Sequence, residues 1–273
     1  MPVSAEQLRL LNSKDLAAAL ELSTLAGWNQ TMEDWFMLLE LAPHGCFGIE
    51  ADGRLVSTTT LVCYGQRLAW IGMVLTNTEY RARGFARRLL AKALADADSI
   101  AVETVKLDAT DQGRQLYEKM GFCPEQAIER WTSVGHSKSP RRATPSTADY
   151  SNDLDCKAYA TDRSELLGML SKRGEIYASP NGFVFSRQGR TTRYLGPCVA
   201  SDARAAQALI GELIAESPQD RWSWDLFPAN RNAAAIASQL GFVRQRCLTR
   251  MTRGRPLPGR NEMVYAIAGF ELG

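Results

Sequence analysis

Histidine is scarce in this chain: His44 and His136 are the two among 273 residues, and neither lies near a cysteine in sequence. The six cysteines stand singly at positions 46, 63, 123, 156, 198 and 247, with no Cys-x-x-Cys pair. That spacing matches neither a zinc centre nor a disulfide framework, and it fits reduced thiols packed in a core. An excess of one charge is also missing. With 32 Lys and Arg against 30 Asp and Glu the formal net charge is +2, which lacks the electrostatic footprint of a nucleic-acid or membrane-surface binder. No apolar run approaches the length of a membrane span. Residues 1–11 carry Glu6 and Arg9 in place of a signal-like apolar block. The expectation from these absences is a cytoplasmic protein with no metal and no nucleic-acid or membrane partner.

What is present is enough for one large or two smaller domains, since 45% of the residues are hydrophobic. The chain is organised around Tyr80-Arg-Ala-Arg-Gly-Phe-Ala86. A strand-like run, Leu68 to Leu75, precedes it. A helical stripe of Phe85, Leu89, Leu90, Ala93, Leu94 and Ala97 follows. The stretch is therefore a strand-to-helix turn, and the unpaired N–H groups that open the helix make an anion site. Gly84 lets an anion approach the backbone, Ala86 is small, and Arg81, Arg83, Arg87, Arg88 and Lys92 surround them.

Before this turn the pattern predicts a strand at Gln7–Leu11 and a helix over Lys14–Ala26, with Leu16, Leu20 and Leu25 inward. A second helix over Met32–Leu41, capped by Thr31 with Asp34, is followed by three strands. After it come a strand at Thr104–Ala109, a helix from Gln112 to Met120 ended by Gly121, and a strand over Phe122–Thr132. The order is β-α-α-β-β-β-α-β-α-β.

Arg81-x-x-Gly84-x-Ala86 resembles the coenzyme A pyrophosphate turn of the GNAT superfamily of acyl-CoA N-acyltransferases. Leu116-Tyr117-Glu118-Lys119-Met120-Gly121-Phe122 resembles that family's second block, and the element order is the same. The resemblance covers roughly residues 5–132. It implies an α/β fold, a mixed central sheet flanked by helices, with acetyl-CoA as co-substrate. It also implies roles. Arg81, Ala82, Arg83, Gly84, Phe85 and Ala86 would cradle the pyrophosphate. The main chain of Met73, Val74 and Leu75 would hold the pantetheine arm like an added strand and polarise the thioester. Tyr117 would stand at the leaving sulfur as a proton donor. Thr110 replaces a customary Asn but still offers a hydroxyl to the coenzyme. For the base, Glu50 and Asp108 are both candidates at strand ends, as is a water-mediated route. Trp28 and Asn29, with Gln30 and Trp35, would wall the acceptor pocket, and Trp222-Ser223-Trp224-Asp225 reads either as a further wall or as a core strand.

The second half repeats the first. Gly121-Phe122 aligns with Gly241-Phe242 and Leu89-Leu90 with Leu209-Ile210. Trp70-Ile71-Gly72 aligns with Tyr194-Leu195-Gly196 at an offset four residues longer, so the second copy is shorter where the anion turn should be. It reads Val199-Ala-Ser-Asp-Ala-Arg-Ala-Ala206, with no glycine and with Asp202 at the expected cap. Asn230 is kept, but Ala237 stands where the tyrosine would be. The layout resembles tandem GNAT proteins: residues 1–132 binding acyl-CoA, a linker over 133–151, and a truncated, degenerate GNAT-like domain over 152–273 that ends in a strand-like run from Glu262 to Phe270. The implied activity is acetyl-CoA-dependent acetylation of a primary amine of a small molecule, in a chain that could form a homodimer. The alternative is a non-catalytic acyl-CoA-binding module.

Overall fold

The computed structural model describes residues 6–133 and 150–273. The expected linker therefore lies, for residues 134–149, outside the described residues.

Strands β1 (Gln7–Leu10), β2 (Cys46–Ala51), β3 (Arg54–Tyr64), β4 (Leu68–Thr76), β5 (Thr104–Ala109) and β6 (Cys123–Ser133) alternate in the first repeat with helices α1 (Leu16–Leu25), α2 (Met32–Leu41), α3 (Phe85–Ser99) and α4 (Asp111–Lys119). The second repeat contains α5 (Asn152–Tyr159), α6 (Ser164–Ser171), β7 (Ile176–Ser179), β8 (Gly182–Arg187), β9 (Arg193–Ala200), α7 (Ala203–Glu216), β10 (Trp222–Leu226), α8 (Arg231–Gln239), β11 (Val243–Gly254) and β12 (Val264–Ala266).

Local chemistry sets most boundaries. Thr31 caps α2 in a reciprocal capping box with Asp34, as the spacing predicts. The apolar stripe of α3 is buried at each of its six expected positions. The first helix differs from expectation. Asn12 caps a short 3-10 turn over Ser13–Asp15, and α1 buries Ala19, Leu22 and Ser23 while Leu25 is 67% exposed. α5 and β7 carry too few periodic residues to stand out in the sequence, and Ser151 caps α5.

All twelve described strands join one sheet, ordered β1-β2-β3-β4-β5-β11-β6-β10-β9-β8-β7, with β12 on β9. Its centre is an exchange. β11, from the second repeat, lies antiparallel on β5 of the first, while β6 of the first lies antiparallel on β10 of the second. The strand that completes the first repeat is thus β11, not the final strand-like run. Apolar residues on β3 and β4 alternate between two cores: Val62, Leu68 and Trp70 face α1, α2, α5 and α6, whereas Leu61, Ala69 and Ile71 face α3 and α4. A third core lies under α7 and α8.

Buried ion pairs fasten the exchange. Arg250 of β11 makes two 2.9 Å bonds to Asp108, Arg130 of β6 pairs with Asp225, and Arg187 bonds Asp34 at 3.0 Å. Removing one partner of such a pair costs about 3–5 kcal/mol because the other charge stays buried.

Candidate acyl-transfer site

Strands β4 and β5 run parallel, but they pair only at Leu68↔Thr104, Ala69↔Val105 and Trp70↔Lys106. Beyond Trp70 they diverge, although β4 continues to Thr76 and β5 to Ala109. A bulge on β4 accompanies the divergence: Thr58 faces Leu75 and Thr60 faces Gly72, so Met73 and Val74 together oppose Thr59. Met73 has φ +47°, a left-handed conformation costing a non-glycine residue about 1–2 kcal/mol. Hydroxyls of β3 hold it there, Thr58 donating to the Met73 carbonyl at 2.8 Å and Ser57 to that of Leu75 at 2.7 Å. A cavity of about 90 Å³ occupies the divergence, lined among others by Gly72, Met73, Val74, Asp108, Thr110 and Tyr117.

β4 leads into the turn. Ala82 and Gly84 have φ +63° and +80°, and Gly84 is the left-handed cap residue of α3. No side chain caps this helix, and its first internal bond is Arg88 N–H to the Gly84 carbonyl. The first-turn N–H groups therefore face outward, in the backbone arrangement that binds anions. A Cβ at Gly84 would meet nothing within 4 Å, so the approach is open. Arg81 and Arg83 are exposed, and the Arg83 guanidinium lies 4.7 Å from the Tyr80 ring centroid.

Tyr117 lies on α4 at the cavity, with 8% of its surface exposed, and burial pushes its pKa up to about 12. Gly113, which the sequence reading did not single out, makes room for the ring: a Cβ there would lie 2.9 Å from Tyr117 Cε2. Thr110 caps α4 through its hydroxyl, which accepts from Gly113 N–H at 3.3 Å.

Residues 267–273 form the opposite wall. The Trp70 indole donates to the Phe270 carbonyl at 2.8 Å, the Tyr64 hydroxyl to that of Leu272 at 2.6 Å, and Arg163 to that of Gly273 at 2.8 Å. A Cβ at Gly72 would lie 2.8 Å from Glu271 Cα, so this glycine is where the segment crosses β4. The crossing brings Phe270 and Glu271 into the cavity. Glu271 accepts from Gln30 Nε2 at 3.1 Å and Arg187 Nη2 at 2.8 Å, and burial raises its pKa.

Several expected positions resolve differently. Trp28 and Gln30 line the cavity, but Glu50 does not: its carboxylate is held by Arg9 at 3.1 Å. The carboxylates at the cavity are Asp108, gripped by Arg250, and Glu271. Asn29 is buried and stitches the halves, accepting from Thr191 N–H at 2.7 Å and donating to the Thr192 carbonyl at 2.9 Å. It lines a neighbouring cavity instead. Trp35 is fully buried and donates to Ser23, and Trp222 and Trp224 are core residues.

The second repeat has the same architecture with its site filled. β9 and β10 also pair at three positions only, Arg193↔Trp222 to Leu195↔Trp224. Here the chain itself enters the divergence. β12 pairs with β9, Ile267 N–H donates to the Asp225 carbonyl, and a Cβ at Gly196 would collide with the Ile267 carbonyl. Asp202 caps α7 by accepting from Ala205 N–H at 2.9 Å, so a carboxylate already occupies that helix start. Ala237 is buried where the tyrosine would stand.

Residues 14–122 match the model of the Acetyltransferase (GNAT) family, and residues 152–266 match that of an Acetyltransferase (GNAT) domain. The chain belongs to the GNAT acetyltransferases. It is a tandem GNAT N-acetyltransferase. Over 283 aligned positions it is 27% identical to "Uncharacterized N-acetyltransferase YitH" of Bacillus subtilis, covering 98% of this chain and 99% of that protein. A putative acetyltransferase from Pyrococcus horikoshii has the same fold, with a TM-score of 0.87 at 20% identity over 98% of this chain and 96% of its own. A tandem GNAT protein from the clavulanic acid biosynthesis pathway superposes with a TM-score of 0.63 at 15% identity, over 91% and 98% of the two chains. Among the described residues of the tandem GNAT, no helix is long and apolar enough to cross a membrane.

Proposed function

We propose that this tandem GNAT transfers an acetyl group from acetyl-CoA to a primary amine of a small molecule by direct attack on the thioester, and that the first repeat alone does so. The observation that carries this reading is the coincidence, in that repeat only, of an uncapped helix N-terminus with an open strand divergence lined by Tyr117. Acetyl-CoA brings an activated acyl group and a thiolate leaving group. Its pyrophosphate fits the N–H groups of Phe85, Ala86 and Arg87, with Arg81 and Arg83 adding positive charge. The bulged main chain of Met73 and Val74 is free to take the pantetheine arm and, through an N–H, the thioester oxygen.

Tyr117 acts at the sulfur. With a pKa of about 12 it stays a phenol under all ordinary conditions. Complete proton transfer to a thiolate of pKa about 8.5 would be uphill by roughly 5 kcal/mol, so its role is to donate a hydrogen bond to the developing thiolate. The attacking amine needs to lose a proton. Glu271 is the base this reading favours over Glu50, because it borders the cavity and burial raises its pKa.

Thiol release from acetyl-CoA, measured across a panel of primary amines, tests the proposal. Amine-dependent release well above hydrolysis is expected. One coenzyme bound per chain, with no amine-dependent release from any member, would favour the binding-module alternative.

A further inference from the structure

Two arginines meet between the acyl-transfer cavity and its neighbour, and among the described residues one forms no ion pair. Arg130 of β6 and Arg246 of β11 are partners across the ladder, and the register slips between Arg244 and Arg246. Gln245 is thus the extra residue of a bulge, a device that re-aims side chains beside active sites. Arg130 is neutralised by Asp225, at 2.7 and 2.5 Å. Arg246 forms no ion pair among the described residues, and its Nε is buried without a hydrogen-bond partner. Both guanidinium groups lie over the Phe270 ring, at 4.5 and 5.1 Å from its centroid. Burial and Arg130 together depress the Arg246 pKa. Two like charges held side by side, one of them unpaired, favour a counter-ion brought from outside.

Arg246 lines both cavities. The neighbouring one has a volume of about 370 Å³ and includes Arg130, Arg221, Thr132, Ser133 and Ser223, with no Asp or Glu among the described residues of its lining. Among the described residues Ser133 Oγ is buried there without a partner, and Arg221 is exposed and makes no ion pair. The acids Asp108 and Glu271 lie on the acyl-transfer side. Across the pair of cavities, charge is therefore separated: carboxylates where the amine is acetylated, guanidinium groups and hydroxyls beyond.

We propose that the acceptor is an anionic amine, whose carboxylate or phosphate group is held by Arg246 and Arg221 while its amine reaches the cavity beside Glu271. This rests on the acetyl-transfer reading above. Arginine presents a planar fork that matches either oxyanion, and the same cluster repels polycationic amines.

The test uses the full chain with saturating acetyl-CoA and matched acceptors: free amino acids against their amides, and an amino sugar against its phosphate ester. Thiol release gives kcat/KM, and quenching of tryptophan fluorescence with coenzyme A present gives binding of the same compounds. At least about tenfold preference for the anionic member is expected in one of the two series, and that series identifies the oxyanion. Arg246→Gln should raise KM for the anionic member and bring the anionic-to-neutral ratio towards one, and Arg246→Lys should keep part of the preference. Arg221→Gln, at an exposed position, gives the same readout if Arg246→Gln does not fold. Equal kcat/KM within each pair overturns the inference while leaving acetyl transfer standing. Anionic compounds that bind through Arg246 yet release no thiol would sink the transfer reading and leave the anion subsite standing. Failure of every anionic compound to bind overturns the inference.

Discussion

Replacing Gly84 by glutamate sets the two repeats against each other. Gly84 has φ +80°, where an L side chain costs about 1–2 kcal/mol, but no atom within 4 Å would meet the new Cβ. A carboxylate at a helix N-terminus recovers about 0.3–1 kcal/mol, so the net loss of stability is about 1 kcal/mol and the variant should fold. Coenzyme binding suffers far more. At about 4 Å, repulsion between the carboxylate and each phosphate charge is about 1 kcal/mol in water and up to about 4 kcal/mol where water is displaced. Each charge-assisted N–H bond that is lost removes about 1.5–3 kcal/mol. For an exposed turn the sum is about 3–5 kcal/mol, a fall in affinity of roughly two to four orders of magnitude. Arg204 is exposed on the first turn of α7, beside a helix start that Asp202 already caps. Arg204→Glu should leave affinity unchanged. Titration calorimetry with coenzyme A is expected to give one site in the wild type, none detectable in Gly84→Glu and one in Arg204→Glu, with circular dichroism confirming that each folds. Two sites in the wild type, or a folded Gly84→Glu variant that still binds, would refute the division of labour.

Tyr117→Phe should lower kcat by roughly ten- to a thousandfold, the loss of one hydrogen-bond donor to the developing thiolate, with little change in coenzyme affinity, as single-turnover thiol release would register. The folded-state pKa of Tyr117 is raised from 10.0 to about 12, so its stabilisation is full below about pH 10 and is lost as pH climbs towards 12, up to roughly 3 kcal/mol. Denaturant melts between pH 9 and 12 should show a smaller loss in Tyr117→Phe than in the wild type, since burial also raises the pKa of Tyr64, Tyr159 and Tyr194 and their share of the loss remains in both, and an alkaline limb in kcat near pH 9 that vanishes in the variant would contradict the assignment. Gly72→Ala puts a methyl 2.8 Å from the Glu271 backbone; overpacking of this kind costs about 1–3 kcal/mol, read as a lowered Tm together with reduced activity. Residues 1–133 expressed alone should be insoluble or unfolded, because β5 loses β11, β6 loses both of its neighbours, and Asp108 is left buried without Arg250; a soluble, active fragment would show the exchange to be dispensable.

Much of the fold was legible because its signals are local. Thr31 with Asp34, the apolar stripe of α3 and the Gly121 and Gly241 stops each act over a few residues, and each lies where its chemistry requires. The strand-to-helix turn at Gly84 was legible for the same reason, and so was the Asp202-capped helix start that replaces it in the second repeat. The carboxylates at the cavity were legible only in part, since Asp108 was a candidate and Glu271 was not. Glu50 was suggested by its place at a strand end, but Arg9 claims it from a neighbouring strand, while Glu271 reaches the cavity from far along the chain. Gly72 and Gly196 aligned in the sequence as strand glycines. That both make room for the same crossing segment depends on backbone contacts with Glu271 and Ile267, far along the chain, which no local pattern encodes.

The sequence alone settled most of the elements and their order, the strand-to-helix turn at Gly84 and the presence of Tyr117 in one repeat only, because dihedral preference, capping and periodicity are properties of neighbouring residues. Tertiary structure alone decided the rest. The residue pattern along β6 and β11 marks each as a strand but does not say which strand lies beside it, and only long-range pairing reveals that they are exchanged between repeats. That exchange sets Arg246 across from Arg130. The crossing of residues 264–273 fills one strand divergence and furnishes the other with Phe270 and Glu271. Which of two similar repeats keeps an open site is settled by where that segment packs, a free-energy balance over the whole molecule.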